Sequence, residues 1–255
     1  MRLALLQCQP TRTPSGALTR LEDAAREAAA GGADLMMTPE MFLTGYTVGR
    51  DALDPLEAAP DEGLWAEAAA IARAHLPILT TGPLPGHGNG AVLFDADGEI
   101  RTQYRKAHLY GDVDAAQFTQ GDRLSEVFDF AGLRCALAIC FDIEFPELAR
   151  TLARRGAELL LVPTANMHPY TGVATRLVPA RAQENGLAIA YANYTGPDGT
   201  FDYCGLSCIV GPDGADLARA GDAAGLVIAD ITRDDVTRVR ADLDYLSQTR
   251  TELYT

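Results

Sequence analysis

The stretch Leu133–Arg150, LRCALAICFDIEFPELAR, decides how this chain is read. Its first part is a bounded apolar run, which predicts a buried strand from Leu133 to Ile139. Pro146 suits the first turn of a helix, and the pattern carries that helix to about Arg155. Cys140 falls at the junction of strand, turn and helix. A cysteine placed there is held exposed at a sheet edge, and the N–H groups after it can stabilise a thiolate and an oxyanion. A free cysteine is more commonly a buried structural thiol, so the local context alone leaves both readings open.

Working outward, the same logic sorts the rest of the chain. Leu3 to Gln9 and Leu35 to Thr38 are predicted strands, with a helix from Ser15 to Ala30 between them. That helix presents Leu18, Leu21, Ala25 and Ala28 on one face and turns Glu22, Asp23, Arg26 and Glu27 away. A second helix spans about Asp61 to His75, with Leu64, Ala68, Ile71 and His75 as its apolar stripe. Strands follow at Ile78–Thr81, Ala91–Phe94 and Ile100–Tyr104, the last two joined by an Asp97–Gly98 turn. Beyond the central stretch come a strand at Leu159–Val162 and a helix at Val178–Asn185 closed by Gly186. Leu187–Asn193, Gly205–Val210 and Gly225–Ile231 complete the strands, with Pro212–Asp213–Gly214 as a turn. Crossovers mixed with hairpins imply a layered α/β domain, covered on both sheet faces and running as one unit over 1–255.

Composition narrows the function. The formal net charge of −14 argues against nucleic acid or an anionic membrane as partner. It is compatible with a cationic small substrate, although acidic surfaces also simply maintain solubility. The five cysteines, Cys8, Cys135, Cys140, Cys204 and Cys208, are odd in number and lack a C-x-x-C pair. They read as reduced thiols of a cytoplasmic protein. The opening MRLALLQCQP is too short an apolar run for a signal peptide, and no stretch is long enough to span a bilayer.

A nucleophilic cysteine needs a proton acceptor and a charge stabiliser. None of His75, His87, His108 and His168 has a context that marks it as a base. A carboxylate does the same work if a shielded site raises its pKa. Glu40, in MMTPEMFLTGY, leaves a buried strand, and Lys106, in QYRKAHLYGD, lies at a strand end where it could supply a fixed positive charge. Singly, each is more often a solvated surface residue.

Together, PEMFLTGY with Glu40, YRKAHLYGD with Lys106 and ICFDIEFPE with Cys140 resemble the three signature blocks of the carbon–nitrogen hydrolase (nitrilase-like) superfamily, in its order and at its spacings. GAELLLVPTANM, ARAQENGLAIAYAN and GLSCIVGPDG match further blocks, so the likeness runs from Leu3 to about Ile231. It implies a four-layer α-β-β-α sandwich and hydrolysis through a thioester on Cys140, with Glu40 as the base. It also implies that Lys106 and the Phe141 backbone N–H stabilise the oxyanion, with no metal or organic cofactor. The family places a second glutamate after the lysine; in DVDAAQFTQGD the matching position is Asp114, shorter by one methylene, with Asp112 as the weaker alternative. Family members commonly form dimers or larger homo-oligomers. The tail over 240–255 is accordingly expected either to wrap a partner subunit or to fray.

The resemblance also bears on substrate. Members acting on ω-amide acids or N-carbamoyl amino acids carry arginine three or four residues after the cysteine, where this chain has Ile143 and Glu144. Glu144 would repel a carboxylate and favour a cation, or else face Lys106 or Arg181 in a network. Cys140-Phe141-Asp142 departs from the C-W-E of nitrilases, which favours amides over nitriles. PTANMHPY, RAQEN, YANYTG and YCGLS resemble bacterial 5-aminopentanamidases, implying a short amide with a remote amine. Glu144 and Asp202 are the candidates for its ammonium, and Asn166 and Met167 for the pocket lining. Pro179 stands where related sequences tend to have arginine, and its tolerance in a first turn suggests that the helix starts there. An N-carbamoyl amine such as carbamoylputrescine is the alternative substrate. A silent binding protein and a glutaminase module are less compatible with an intact Glu40, Lys106 and Cys140 and with the missing P-loop.

Overall fold

Residues 1–253 are described by a computed structural model. In chain order, its elements begin β1 (Arg2–Gln7), α1 (Pro14–Ala30), β2 (Leu35–Met37), α2 (Arg50–Leu53), α3 (Gly63–Ala74), β3 (Ile78–Leu84), β4 (Gly88–Phe94) and β5 (Ile100–Arg105). Next come α4 (Gly111–Ala115), β6 (Phe128–Phe130), β7 (Leu133–Leu137), α5 (Pro146–Arg154), β8 (Leu159–Pro163), α6 (Val178–Asn185) and β9 (Ala188–Ala192). The chain continues with β10 (Thr195–Pro197), β11 (Asp202–Cys204), β12 (Cys208–Val210), β13 (Asp216–Arg219), β14 (Gly225–Asp230), α7 (Arg233–Asp242) and α8 (Tyr245–Gln248).

Two six-stranded sheets result, ordered β14-β1-β2-β3-β4-β5 and β13-β12-β9-β8-β7-β6. In each, three central strands run parallel and antiparallel strands extend the edges. The period of two along the strands sets the layers. Leu3 and Leu5 of β1, Leu133, Cys135 and Leu137 of β7, and Leu159 and Leu161 of β8 meet in a core between the sheets. The alternate residues face outward to helices. Ala4 and Leu6 pack with Leu21 and Ala25 of α1 and Trp65 of α3, while Leu160 and Val162 pack with Leu148 and Leu152 of α5 and Ala182 of α6. This is the four-layer α-β-β-α sandwich expected. Strands buried on both faces explain why the apolar runs are nearly continuous.

Several boundaries differ for physical reasons. The buried stripe of α3 is Trp65, Ala68, Ala69 and Ala72, not Leu64, Ile71 and His75. The Trp65 indole dominates that face, and its N–H donates to the Pro83 carbonyl at 3.0 Å. The predicted strand Gly205–Val210 shrinks to β12 because Gly205 and Leu206 adopt φ of 62° and 60°, which no strand accommodates. The helix around Pro179 starts earlier than expected. A π-helical turn over Val173–Leu177 precedes it, with the Val178 N–H donating to the Val173 carbonyl. The wider turn absorbs a proline that has no N–H to give and whose ring crowds the carbonyl four residues back. Gly186 closes α6 as expected, in the left-handed conformation with φ 54°.

Of the tail, residues through Asp242 extend α7. Leu246 of α8 packs against the core beside α5 and α6. Tyr254 and Thr255 lie outside the described residues. No helix among the described residues is long and apolar enough to cross a membrane.

Candidate functional site

The carboxyl ends of β2, β5, β7 and β8 converge, as ligand-binding ends of open α/β sheets do. Glu40 follows β2, Lys106 directly follows β5, Cys140 follows β7, and Asn166 and Met167 follow β8. The Glu40 N–H donates to the Thr164 carbonyl at 3.1 Å and so ties the two sheets together at the site.

Lys106 is fully buried, and its ammonium donates to Glu40 Oε1 at 2.7 Å and to Asp114 Oδ2 at 2.6 Å. Asp114 is itself buried and fixed by the Tyr46 hydroxyl at 2.6 Å and the Tyr110 N–H at 2.8 Å. Asp112, on the solvent side of α4, is exposed. The shorter side chain therefore reaches the lysine from position 114. Glu40 Oε1 also accepts from Asn89 Nδ2 at 2.7 Å, whereas its buried Oε2 has no partner among the described residues.

Burial raises the Glu40 carboxyl above the usual range; the Lys106 charge opposes this and the Asp114 charge adds to it. Burial works against the Lys106 ammonium, but Glu40, Cys140 and Asp114 together hold it above the ordinary amine range, so it stays charged. The Cys140 thiol is pushed up by burial and then by the Glu40 charge, with Lys106 opposing.

Cys140 has φ 48°, a left-handed backbone that side-chain-bearing residues seldom adopt and that surrounding bonds must enforce. It opens a 3₁₀ turn, Cys140–Glu144. Asp142, fully buried, closes that turn by accepting the Ile139 N–H at 2.9 Å. The same carboxylate accepts the Tyr104 hydroxyl at 2.9 Å and, from His108, the N–H at 2.9 Å, with ring Nδ1 at 2.7 Å.

Cys140 opens onto a cavity of about 160 Å³. Tyr46, Tyr110, Phe141 and Tyr170 form its aromatic wall, and Glu144, Asn166 and Met167 also line it. The Glu144 carboxylate accepts no hydrogen bond among the described residues, and burial raises its pKa against the charges of Lys106 and Arg181. Arg181 instead donates to the Glu144 backbone carbonyl at 3.0 Å and pairs with Glu184 at 3.1 Å. Asp202 does not belong here. On the short ribbon strand β11 it is exposed, while Tyr203 and Cys204 take the inward places. Three larger hollows, of about 790, 730 and 400 Å³, are surface grooves elsewhere; none joins a nucleophile to a buried carboxylate and cation.

Sequence reading missed Asn89, Tyr46, Asp142 and His108. Three of them lie inside the quoted blocks, but nothing local marks Asn89, which only the β3–β4 hairpin carries to Glu40. It also missed a convergence of Asp54, Glu57 and His87, whose Nδ1 lies 2.9 Å from Glu57 and 3.3 Å from Asp54. The ring is partly exposed between two carboxylates, an arrangement that ion pairing alone accounts for.

A family model described as Carbon-nitrogen hydrolase matches residues 2–241. A protein of Pseudomonas protegens described as "Hydrolase in pqqF 5'region" is 44% identical over 260 residues, covering 100% of this chain and 90% of its own length. The omega-amidase NIT2 of Mus musculus is 32% identical over 271 residues, covering 100% and 96%. A solved mutant of the amidase from Nesterenkonia sp. AN1 superposes with a TM-score of 0.87 at 35% identity, covering 100% of this chain and 95% of that one. That structure shows covalent addition of the acetamide moiety of fluoroacetamide at the active site cysteine. The chain belongs to the carbon–nitrogen hydrolase family and is a hydrolase of amide carbon–nitrogen bonds.

Proposed function

We propose that this protein hydrolyses a small aliphatic amide to its acid and ammonia through a thioester on Cys140. The observation that carries this reading is the pairing at Glu40. One oxygen is held by Lys106 and Asn89, while the other is buried without a partner among the described residues, close enough for the Glu40 charge to act on the Cys140 thiol. Glu40 takes the Cys140 proton, and sulfur attacks the amide carbonyl. Lys106 and the Phe141 backbone N–H stabilise the oxyanion. Protonated Glu40 returns the proton to the leaving nitrogen, and ammonia departs. Glu40 then activates water, which cleaves the thioester, releases the acid and restores the thiol. Asp114 holds Lys106 in place throughout.

This cycle requires ionised Glu40 at the start. Its carboxyl is raised by burial, so activity is lost as pH falls through that raised value. The acid limb of kcat/KM is expected above 4.5, the ordinary value for this group. A limb at or below it in a pH–rate profile would remove Glu40 as the base.

Within this class we favour an ω-amino amide such as 5-aminopentanamide. The cavity is smaller than the roughly 300–1,000 Å³ of drug-sized sites, which suits a short chain. Glu144 offers a carboxylate that accepts no hydrogen bond among the described residues, and the aromatic wall offers ring faces to a cation. An N-carbamoyl amine such as carbamoylputrescine would meet the same groups and release carbon dioxide along with ammonia. Ammonia release should be compared for 5-aminopentanamide, a neutral amide of equal length, an ω-amide acid and carbamoylputrescine. The amine-bearing amide is expected to be preferred about 10-fold or more, and Glu144→Gln is expected to erase that preference while sparing the neutral amide. Equal rates on the two amides in the wild type would refute an ammonium site. We further propose a homo-oligomer, for which Leu243, Tyr245 and Leu253, exposed along the tail, offer apolar surface.

A further inference from the structure

Lys106 and Cys140 belong to different sheets, yet they must be held in register to within a fraction of an ångström for an oxyanion to sit between them. The structure shows one group spanning that gap. Asp142 lies two residues after Cys140, and it is bonded by Tyr104 and His108, which lie two residues before and two residues after Lys106. Its fourth bond, from the Ile139 N–H, holds the turn in which Cys140 takes its left-handed backbone. One buried carboxylate thus fastens the cysteine turn to both flanks of the lysine.

We propose that Asp142 and His108 form a positioning clamp that sets Lys106 against Cys140, with His108 as its titratable member. His108 is about one-third exposed, so it exchanges protons with solvent, whereas Asp142 is sealed. Its ring stacks on Phe145, the residue leading into α5, with centroids 4.1 Å apart and planes at 19°. The groups facing the ring are Asp142 from the cysteine turn, Glu147 from the first turn of α5 and the Tyr104 hydroxyl shared with Asp142. The hydrogen bond to Asp142 raises the imidazole pKa above 6.5, and partial burial opposes it. The protonated ring makes a charge-assisted bond to Asp142, which weakens to a neutral one as pH rises through the elevated pKa. The clamp loosens, and Lys106 drifts from the oxyanion position. His108 does not touch substrate.

This proposal rests on Cys140 as the nucleophile, which wild-type turnover and a Cys140→Ala control report on separately. The test uses a neutral short amide, so that no substrate amine titrates. His108→Ala is expected to lower kcat about 10- to 100-fold with KM changed less than about 3-fold. His108→Asn places an amide nitrogen near the position of Nδ1 without a titrating ring. It is expected to bring kcat up to the level the wild type shows above the His108 pKa, and to abolish the wild-type decline in kcat on the alkaline side of that pKa. Wild-type kcat in His108→Ala, a change confined to KM, or an unaltered pH profile in His108→Asn would each overturn the clamp.

Discussion

Cys140→Ala is expected to fold normally and to lose amide turnover by at least about 10⁴-fold, the scale set by removing a nucleophile that acts as a unit with its base. The fold should persist because the thiol is half-buried at a cavity mouth and the turn around it is secured by Asp142 rather than by sulfur. Circular dichroism and thermal melting check the first part, and ammonia release checks the second. Cys140→Ser is expected to be nearly as inactive, since Glu40 is tuned to a thiol and a hydroxyl is far harder to ionise. A folded Cys140→Ala protein that releases ammonia at the wild-type rate would remove the cysteine from the chemistry.

Lys106→Met should combine two losses. The first is catalytic: without the ammonium, the developing oxyanion lacks its charged partner, and kcat should fall about 10²- to 10³-fold. The second is structural. Glu40 and Asp114 are fully buried and share the one cation between them, at 2.7 and 2.6 Å. Removing one partner of a buried ion pair typically costs about 3–5 kcal/mol because the remaining charge is uncompensated. The destabilisation should shrink as pH is lowered, since protonating Glu40, whose carboxyl burial already raises, removes unpaired charge. Denaturant unfolding at two pH values measures this. Lys106→Arg is not expected to restore activity, because a planar guanidinium does not fit a socket built around a point-like ammonium. Unchanged kcat in a folded Lys106→Met protein would exclude an oxyanion role.

Much of this was legible in the sequence, because strands buried on both faces and helices with one apolar face leave strong periodic signals. The layers, the strand before Cys140 and the proline-led α5 follow directly from those signals. β6, β13 and the β10–β11 ribbon did not stand out. Each is only three or four residues long, too short for a period to show. β12 was overextended because nothing in Gly205–Leu206 announces that both residues turn left-handed. Pro179 suggested a helix start, but a π-helical turn over Val173–Leu177 runs directly into the first turn of α6, where the proline sits.

At the site, the identities of Glu40, Lys106 and Cys140 came from motif likeness, and only their burial and bonding came from the fold. Asp114 over Asp112 was decided by which face of α4 points inward. Asp202 failed because it stands exposed at the start of the short ribbon strand β11 and does not line the cavity. Asp142 and His108 sat within the quoted motifs, yet their bond joins two sheets, and separation along the chain carries no trace of it. The same holds for Asn89, brought to Glu40 by a hairpin.

Intact-protein mass spectrometry of the enzyme quenched within a turnover of a short amide tests the thioester at Cys140 most directly. The wild-type protein should gain the mass of the acyl group, with the adduct mapping to the peptide containing Cys140, sensitive to hydroxylamine and absent from Cys140→Ala. Steady ammonia release with no acyl adduct on Cys140 at any quench time, and with Cys140→Ala equally active, would contradict it.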